Sequence, residues 1–280
     1  MTSILTITGA LRTARTYCPP VCFPYHATWR LFRSTGLKGH PGWHRGFYRL
    51  ALDRTGLTHR PRLRVLICGA SDEAMLATLA DLLGIDRLDV YLVDRCATPL
   101  RLALAYANHV DLALVTRQAE APQLPDFGAR FDLVITDGLL SLLPSDAVRA
   151  TVFALAGALR EDGVLAYTAR VAQPSRSRLE YDRPGRWIQA AAVLAAYPGP
   201  PGQRASHAVN VLQRPSRTSP FTTSEHLRDA FADAFSDTAV YINDGPASCA
   251  QRLHPAHCAG ATSLRVGVLA QHPRRPGSKT

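Results

Sequence analysis

An apolar run, Leu63-Arg64-Val65-Leu66-Ile67-Cys68, stops on Gly69, and a second, Val90-Tyr91-Leu92-Val93, stops on Asp94, with a helix-like stretch between them. Near-continuous apolar runs of this length suit buried parallel strands. A glycine directly after such a strand lets the backbone turn tightly and approach a ligand. An acid about 20 to 25 residues further on, at the tip of the next strand, can accept both hydroxyls of a ribose. The layout is that of a nucleotide-binding crevice, and it names the ribose before the rest of the ligand.

The loop itself separates the candidate ligands. A dinucleotide needs three glycines to bring its pyrophosphate against a helix N-terminus. Here the loop reads Gly69-Ala70-Ser71-Asp72-Glu73-Ala74, with one glycine and two carboxylates. Asp72 and Glu73 suit the positive end of a helix, repel a phosphate, and tolerate an ammonium or a sulfonium. S-adenosylmethionine is therefore the expected cofactor, and a nicotinamide dinucleotide is the weaker reading.

Further motifs carry a resemblance. The stretch from Arg64 to Arg170 resembles the core of a class I S-adenosylmethionine-dependent methyltransferase. Arg64 to Glu73 stands for its first motif and Val90 to Arg95 for the ribose-binding strand end. Glu120-Ala121-Pro122-Gln123-Leu124-Pro125 stands for the acid and loop near the adenine. Phe131 to Asp137 is similar to the fourth strand, and Leu159 to Leu165 to the turn into the fifth. The chain departs from the pattern at Ile67, where the family has an acid, and at Ser71 and Glu73, where it has glycines. The run Asp94 to Leu100 resembles a bacterial subgroup of that family without an assigned substrate. The resemblance implies an S-adenosylmethionine site built from Gly69, Ala70, Ser71, Asp94, Arg95, Glu120, Ala121 and Asp137.

Apolar runs at 63–68, 89–93, 112–116, 131–136 and 163–169 alternate with helix-period segments at 72–84, 98–108 and 145–159. That alternation predicts an α/β chain with a doubly wound, mostly parallel, Rossmann-like sheet. A helix over 224–235 and strands over 238–242 and 263–270 predict a closing antiparallel hairpin, as in the resembled family. Residues 1–60 read as an N-terminal helical, basic segment and lid candidate, and 61–272 as the methyltransferase domain. Residues 172–220 form an insertion with one helix, Trp187 to Ala196, ended by Pro198-Gly199-Pro200-Pro201-Gly202. Residues 273–280 read as a disordered tail.

Charge is uneven: residues 1–62 hold ten Lys or Arg and one acid, and the rest is nearly balanced. A basic arm can bind nucleic acid or an acidic protein. No nucleic-acid module accompanies it, so solvated arginines are the simpler reading, and a small-molecule acceptor is the expected partner. No apolar run reaches the roughly 18 to 20 residues that a membrane span needs, and no secretory leader is evident. A cytoplasmic protein is expected.

Histidine has the pKa to take a proton from an acceptor hydroxyl. His26 and His44 lie in aromatic-rich stretches, Tyr25 to Phe32 and Trp43 to Tyr48, and are the candidate bases; the bland alternative is core packing by the aromatics with surface histidines. The six cysteines read as reduced thiols. Cys18-x3-Cys22-x3-His26 and Cys249-x4-His254-x2-His257-Cys258 lack the two-residue gap of common zinc sites, and no metal is expected. A competing function is a non-catalytic binding or scaffold protein that kept the fold.

Overall fold

In the computed structural model, residues 6–35, 40–172, 179–213, 221, 223–242 and 263–274 are described. The second set of cysteines and histidines, at 249–258, lies outside them.

Seven strands form one sheet in the order β3-β2-β1-β4-β5-β7-β6. They are β1 (Leu63–Cys68), β2 (Leu88–Asp94), β3 (Leu114–Gln118), β4 (Phe131–Asp137), β5 (Leu159–Ala172), β6 (Phe235–Ile242) and β7 (Ser263–Pro273). The first five are parallel. β7 runs antiparallel between β5 and β6, closing the sheet as the expected hairpin. Strand order reverses between β1 and β4, which opens a crevice at their carboxyl ends. β7 continues through Pro273, one residue past the expected domain end, and Arg274 N donates to Ala234 O.

Helices α3 (Arg45–Arg54), α4 (Ala74–Leu83) and α5 (Ala97–His109) bury Phe47, Leu52, Leu76, Leu79 and Ala103 on one sheet face. On the other face α6 (Ser145–Ala158) and α9 (Ser224–Ala232) bury Val152, Leu155, Leu227 and Phe231. Both faces of the central strands are thus covered, which is why β1 and β4 are apolar almost throughout.

A third apolar cluster lies outside the sheet. Helices α1 (Ile7–Tyr17), α2 (Phe23–Ser34), α7 (Leu179–Ala196) and α8 (Pro201–Gln213) meet around Phe23, Ala27, Val193, Tyr197 and Val211. The insertion therefore carries two helices rather than one. The Pro-Gly-Pro-Pro-Gly run ends α7, but Pro201 also opens α8, because a fixed φ and a missing N–H suit a first helical turn. The N-terminal segment divides: α1 and α2 join this helical cap, whereas Phe47 of α3 packs against Gly267 of β7 so closely that a Cβ there would lie 2.3 Å from its ring.

Part of the basic arm is spent on ion pairs within the molecule, while Arg12, Arg15, Arg49, Arg54 and Arg62 are exposed. Arg30 and Arg33 pair with Glu73 and Asp72, Arg45 with Asp81, and Arg60 with Asp132 and Asp162. Asp132 also accepts from Arg160 and from Arg64 N, as a structural acid at the amino end of β4. Among the described residues, no helix is long and apolar enough to cross a membrane.

Candidate active site

The carboxyl ends of β1 and β2 are tied together by backbone and carboxylate. Gly69 leaves β1 with φ +75°, a left-handed conformation that favours glycine, and a Cβ there would lie 3.0 Å from Leu139. Its N–H donates to Val93 O at 2.8 Å. Asp94 accepts from Ala70 N at 2.9 Å through Oδ2 and from Cys96 N at 2.7 Å through Oδ1. Each carboxylate oxygen keeps a second lone pair. Asp94 thus shapes the loop and remains able to accept further hydroxyls. Burial raises its pKa, with the two backbone bonds opposing the shift.

The loop is gripped from the N-terminal side by α2. Tyr25 Oη lies 2.6 Å from Ser71 Oγ, and His26 Nδ1 lies 3.3 Å from Ser71 O. Asp72 and Glu73, only 3% and 5% exposed, are held by Arg33 and Arg30. Asp72 Oδ1 also caps α4 by accepting from Ala74 N at 2.9 Å. The two loop carboxylates therefore face the cap's arginines, not a ligand ammonium. Two arginines three apart on one helix match two adjacent acids in charge, which is the sequence signal for this clamp.

A second cluster joins the N-terminal segment to β4 and β5. His44 Nε2 lies 3.9 Å from Asp137 Oδ1. Thr168 Oγ1 donates to Asp137 Oδ1 at 2.7 Å and lies 3.0 Å from Tyr48 Oη, so with its proton committed to Asp137 it accepts from the Tyr48 hydroxyl. Burial pushes the Tyr48 phenol well above its usual range. His40 Nδ1 accepts from Gly42 N at 2.9 Å. Burial first, and the nearby Arg33 charge second, lower the His40 pKa to about 4. His40 is thus neutral through the physiological range. Its ring-carbon NMR resonances should titrate near pH 4 instead of the usual 6.5; a midpoint at 6 or above would place the ring in water.

The remaining expected cofactor residues are less engaged. Arg95 is exposed, and its carbonyl accepts from Gln118 Nε2 at 2.9 Å. Glu120 is exposed and opens a short 3-10 turn, while Ala121 is buried in the core beneath it. Ala119 N donates to Asp94 O at 3.1 Å, so this loop abuts the ribose acid through backbone. His26 is buried at Ser71 among Cys18, Cys22 and Cys96, apart from the His44 and Asp137 cluster. The sequence carries no local signal for Thr168, which only the pairing of β4 with β5 brings to Asp137, or for His40, whose burial comes from tertiary packing.

No family model and no curated protein sequence matches the chain. Solved structures do. Haemonchus contortus phosphoethanolamine N-methyltransferase 2 in complex with S-adenosyl-L-methionine matches with a TM-score of 0.55 at 14% identity, over 96% of this chain and 58% of that one. The S-adenosylmethionine-dependent methyltransferase SibL, in its apo form, matches with a TM-score of 0.51 at 14% identity, over 90% and 58%. This chain has the class I methyltransferase fold. It spans a little over half the length of those two solved chains. Within a methyltransferase fold, the crevice at Gly69, Asp94 and Asp137 lies at the switch point between β1 and β4, where open α/β sheets bind ligands.

Proposed function

We propose that the chain binds S-adenosylmethionine in this crevice and transfers its methyl group to a small-molecule acceptor. The observation that carries the reading is Asp94, which sits at the tip of β2, bonded to the N–H that follows Gly69, with lone pairs to spare for two hydroxyls. Gly69 to Ser71 would face the methionine portion by backbone. Glu120 and the backbone of Ala121 would border the adenine, and Arg95 the crevice rim.

When bound, the sulfonium supplies an activated methyl group for in-line displacement by an acceptor lone pair. The chain's own work is alignment, exclusion of water, and removal of a proton. His44 is the residue we assign as base, with Asp137 to orient it and stabilise its charged form. Asp137 is in turn fixed by the Thr168 hydroxyl. Helix α2 covers the Gly69 to Ser71 side of the crevice through Tyr25 and His26.

Titration calorimetry with S-adenosylmethionine and S-adenosylhomocysteine tests the reading. Binding of either by the wild type is expected, with Asp94→Ala weakening it by about 1 to 3 kcal/mol through loss of a charged acceptor. A folded Asp94→Ala variant with an unchanged dissociation constant removes Asp94 from the ribose role. No heat with either ligand leaves a scaffold that kept the fold.

A further inference from the structure

Three cysteines and a histidine from distant parts of the chain converge beside the crevice. Cys18 closes α1, Cys22 caps the start of α2, His26 follows one turn on, and Cys96 precedes α5. Cys96 Sγ lies 3.5 Å from Cys18 Sγ and 3.4 Å from Cys22 Sγ, and one ligand atom from each of the four residues lies within 4.8 Å of the others. Cys18 is half-buried and the other three are buried.

We propose that these four side chains bind one zinc ion in a closed, structural site. A tetrahedral ion with bonds of about 2.3 Å to sulfur holds its thiolates about 3.8 Å apart. The observed sulfur separations need only small adjustments to reach that spacing. Convergence on a single point fits one ion, whereas an iron–sulfur cluster spreads its thiolates around several metals. A disulfide accounts for the group poorly, since it consumes two of three thiols and leaves the third beside the imidazole. Four protein ligands leave no open position, so the site is structural rather than hydrolytic. Cysteine and histidine donors select zinc over hard cations such as magnesium and calcium.

The surroundings prepare the ligands. With Nδ1–H donating to Ser71 O at 3.3 Å, His26 carries its lone pair on Nε2, which leaves that nitrogen able to bind a metal. Cys96 N is fixed by Asp94 Oδ1, and Thr98 Oγ1 lies 3.0 Å from Cys18 Sγ. The ion would rivet α1 and α2 to the start of α5, two residues from Asp94. His26 then serves as a ligand and is withdrawn from the role of base. The site was hidden in the sequence because its fourth donor stands far from the other three.

Metal analysis of the full-length chain decides the matter. Reduced protein, loaded with Zn2+ and passed through gel filtration, should retain about one ion per chain. Cobalt substitution should give the sulfur-to-metal charge transfer and intense visible bands of a tetrahedral thiolate site. Cys96→Ser and Cys18→Ser should each bring retained zinc close to none, while the double variant Cys249→Ser with Cys258→Ser should keep it. The cobalt spectrum of the wild type stands even if a cysteine variant fails to fold. Reduced wild type that retains no zinc, a cobalt complex without sulfur charge transfer, or full retention in folded Cys96→Ser overturns the proposal.

Discussion

Replacing Arg30 with methionine should cost the fold about 3 to 5 kcal/mol, because it removes the guanidinium that balances the Glu73 carboxylate in a site where both partners are more than nine-tenths buried. A domain's whole stability is about 5 to 15 kcal/mol, so the loss should be plain in urea unfolding. Burial, reinforced by Asp72, already raises the Glu73 pKa above its ordinary 4.5, and Arg30 opposes that shift. The folded state therefore binds the Glu73 proton more tightly than the unfolded chain does. In the variant this preference grows, so the penalty is fully relieved only below about pH 4.5 and returns as pH rises through the folded pKa. Adding Glu73→Leu to Arg30→Met should recover most of the loss, since an apolar pair of similar volume replaces a buried ion pair at little cost. A single variant as stable as the wild type at pH 8 shows that Glu73 finds water or another cation.

Gly69→Val should abolish S-adenosylmethionine binding. Valine is strongly disfavoured at φ +75°, and its Cβ would press on Leu139. The loop would have to rotate, pulling Ala70 N from Asp94 and displacing the acid assigned to the ribose. A fall in stability of about 1 to 3 kcal/mol should accompany the change. Circular dichroism and unfolding curves separate lost binding from lost fold. A folded variant with the wild-type dissociation constant would show that the ligand does not approach the Gly69 turn.

Strand tips were readable from the sequence because burial on both faces writes long apolar runs, and the residue that ends each run stands at the crevice. Gly69, Asp94 and Asp137 were reached that way. Helix ends were harder. Pro198 to Gly202 reads equally as a stop and as a start, and only the packing of Val211 and Ala208 on Phe23 and Ala27 shows that a second helix follows. β6 begins at Phe235, three residues before the expected strand, because its pairing with Pro273 extends the ladder into what reads as the end of a helix. The clamp, the Tyr48-Thr168-Asp137 relay and the neutral His40 depend on contacts between residues dozens of positions apart, which no local period records.

The place of β7 bears on how such a chain reaches its native state. This strand is bonded to β5 on one side and β6 on the other, yet it is the last in sequence among the described strands. Until it docks, β5 and β6 are separated by an empty lane and each presents a row of unsatisfied N–H and C=O groups. Closing pairs such as Ala166 with Leu269 joins residues about a hundred apart, so a long loop must lose its freedom before those bonds form. Refolding should thus show a late phase in which β7 threads between its neighbours. During that wait the exposed edges invite pairing with other chains, and rapid dilution at low protein concentration should give the higher yield of native molecules.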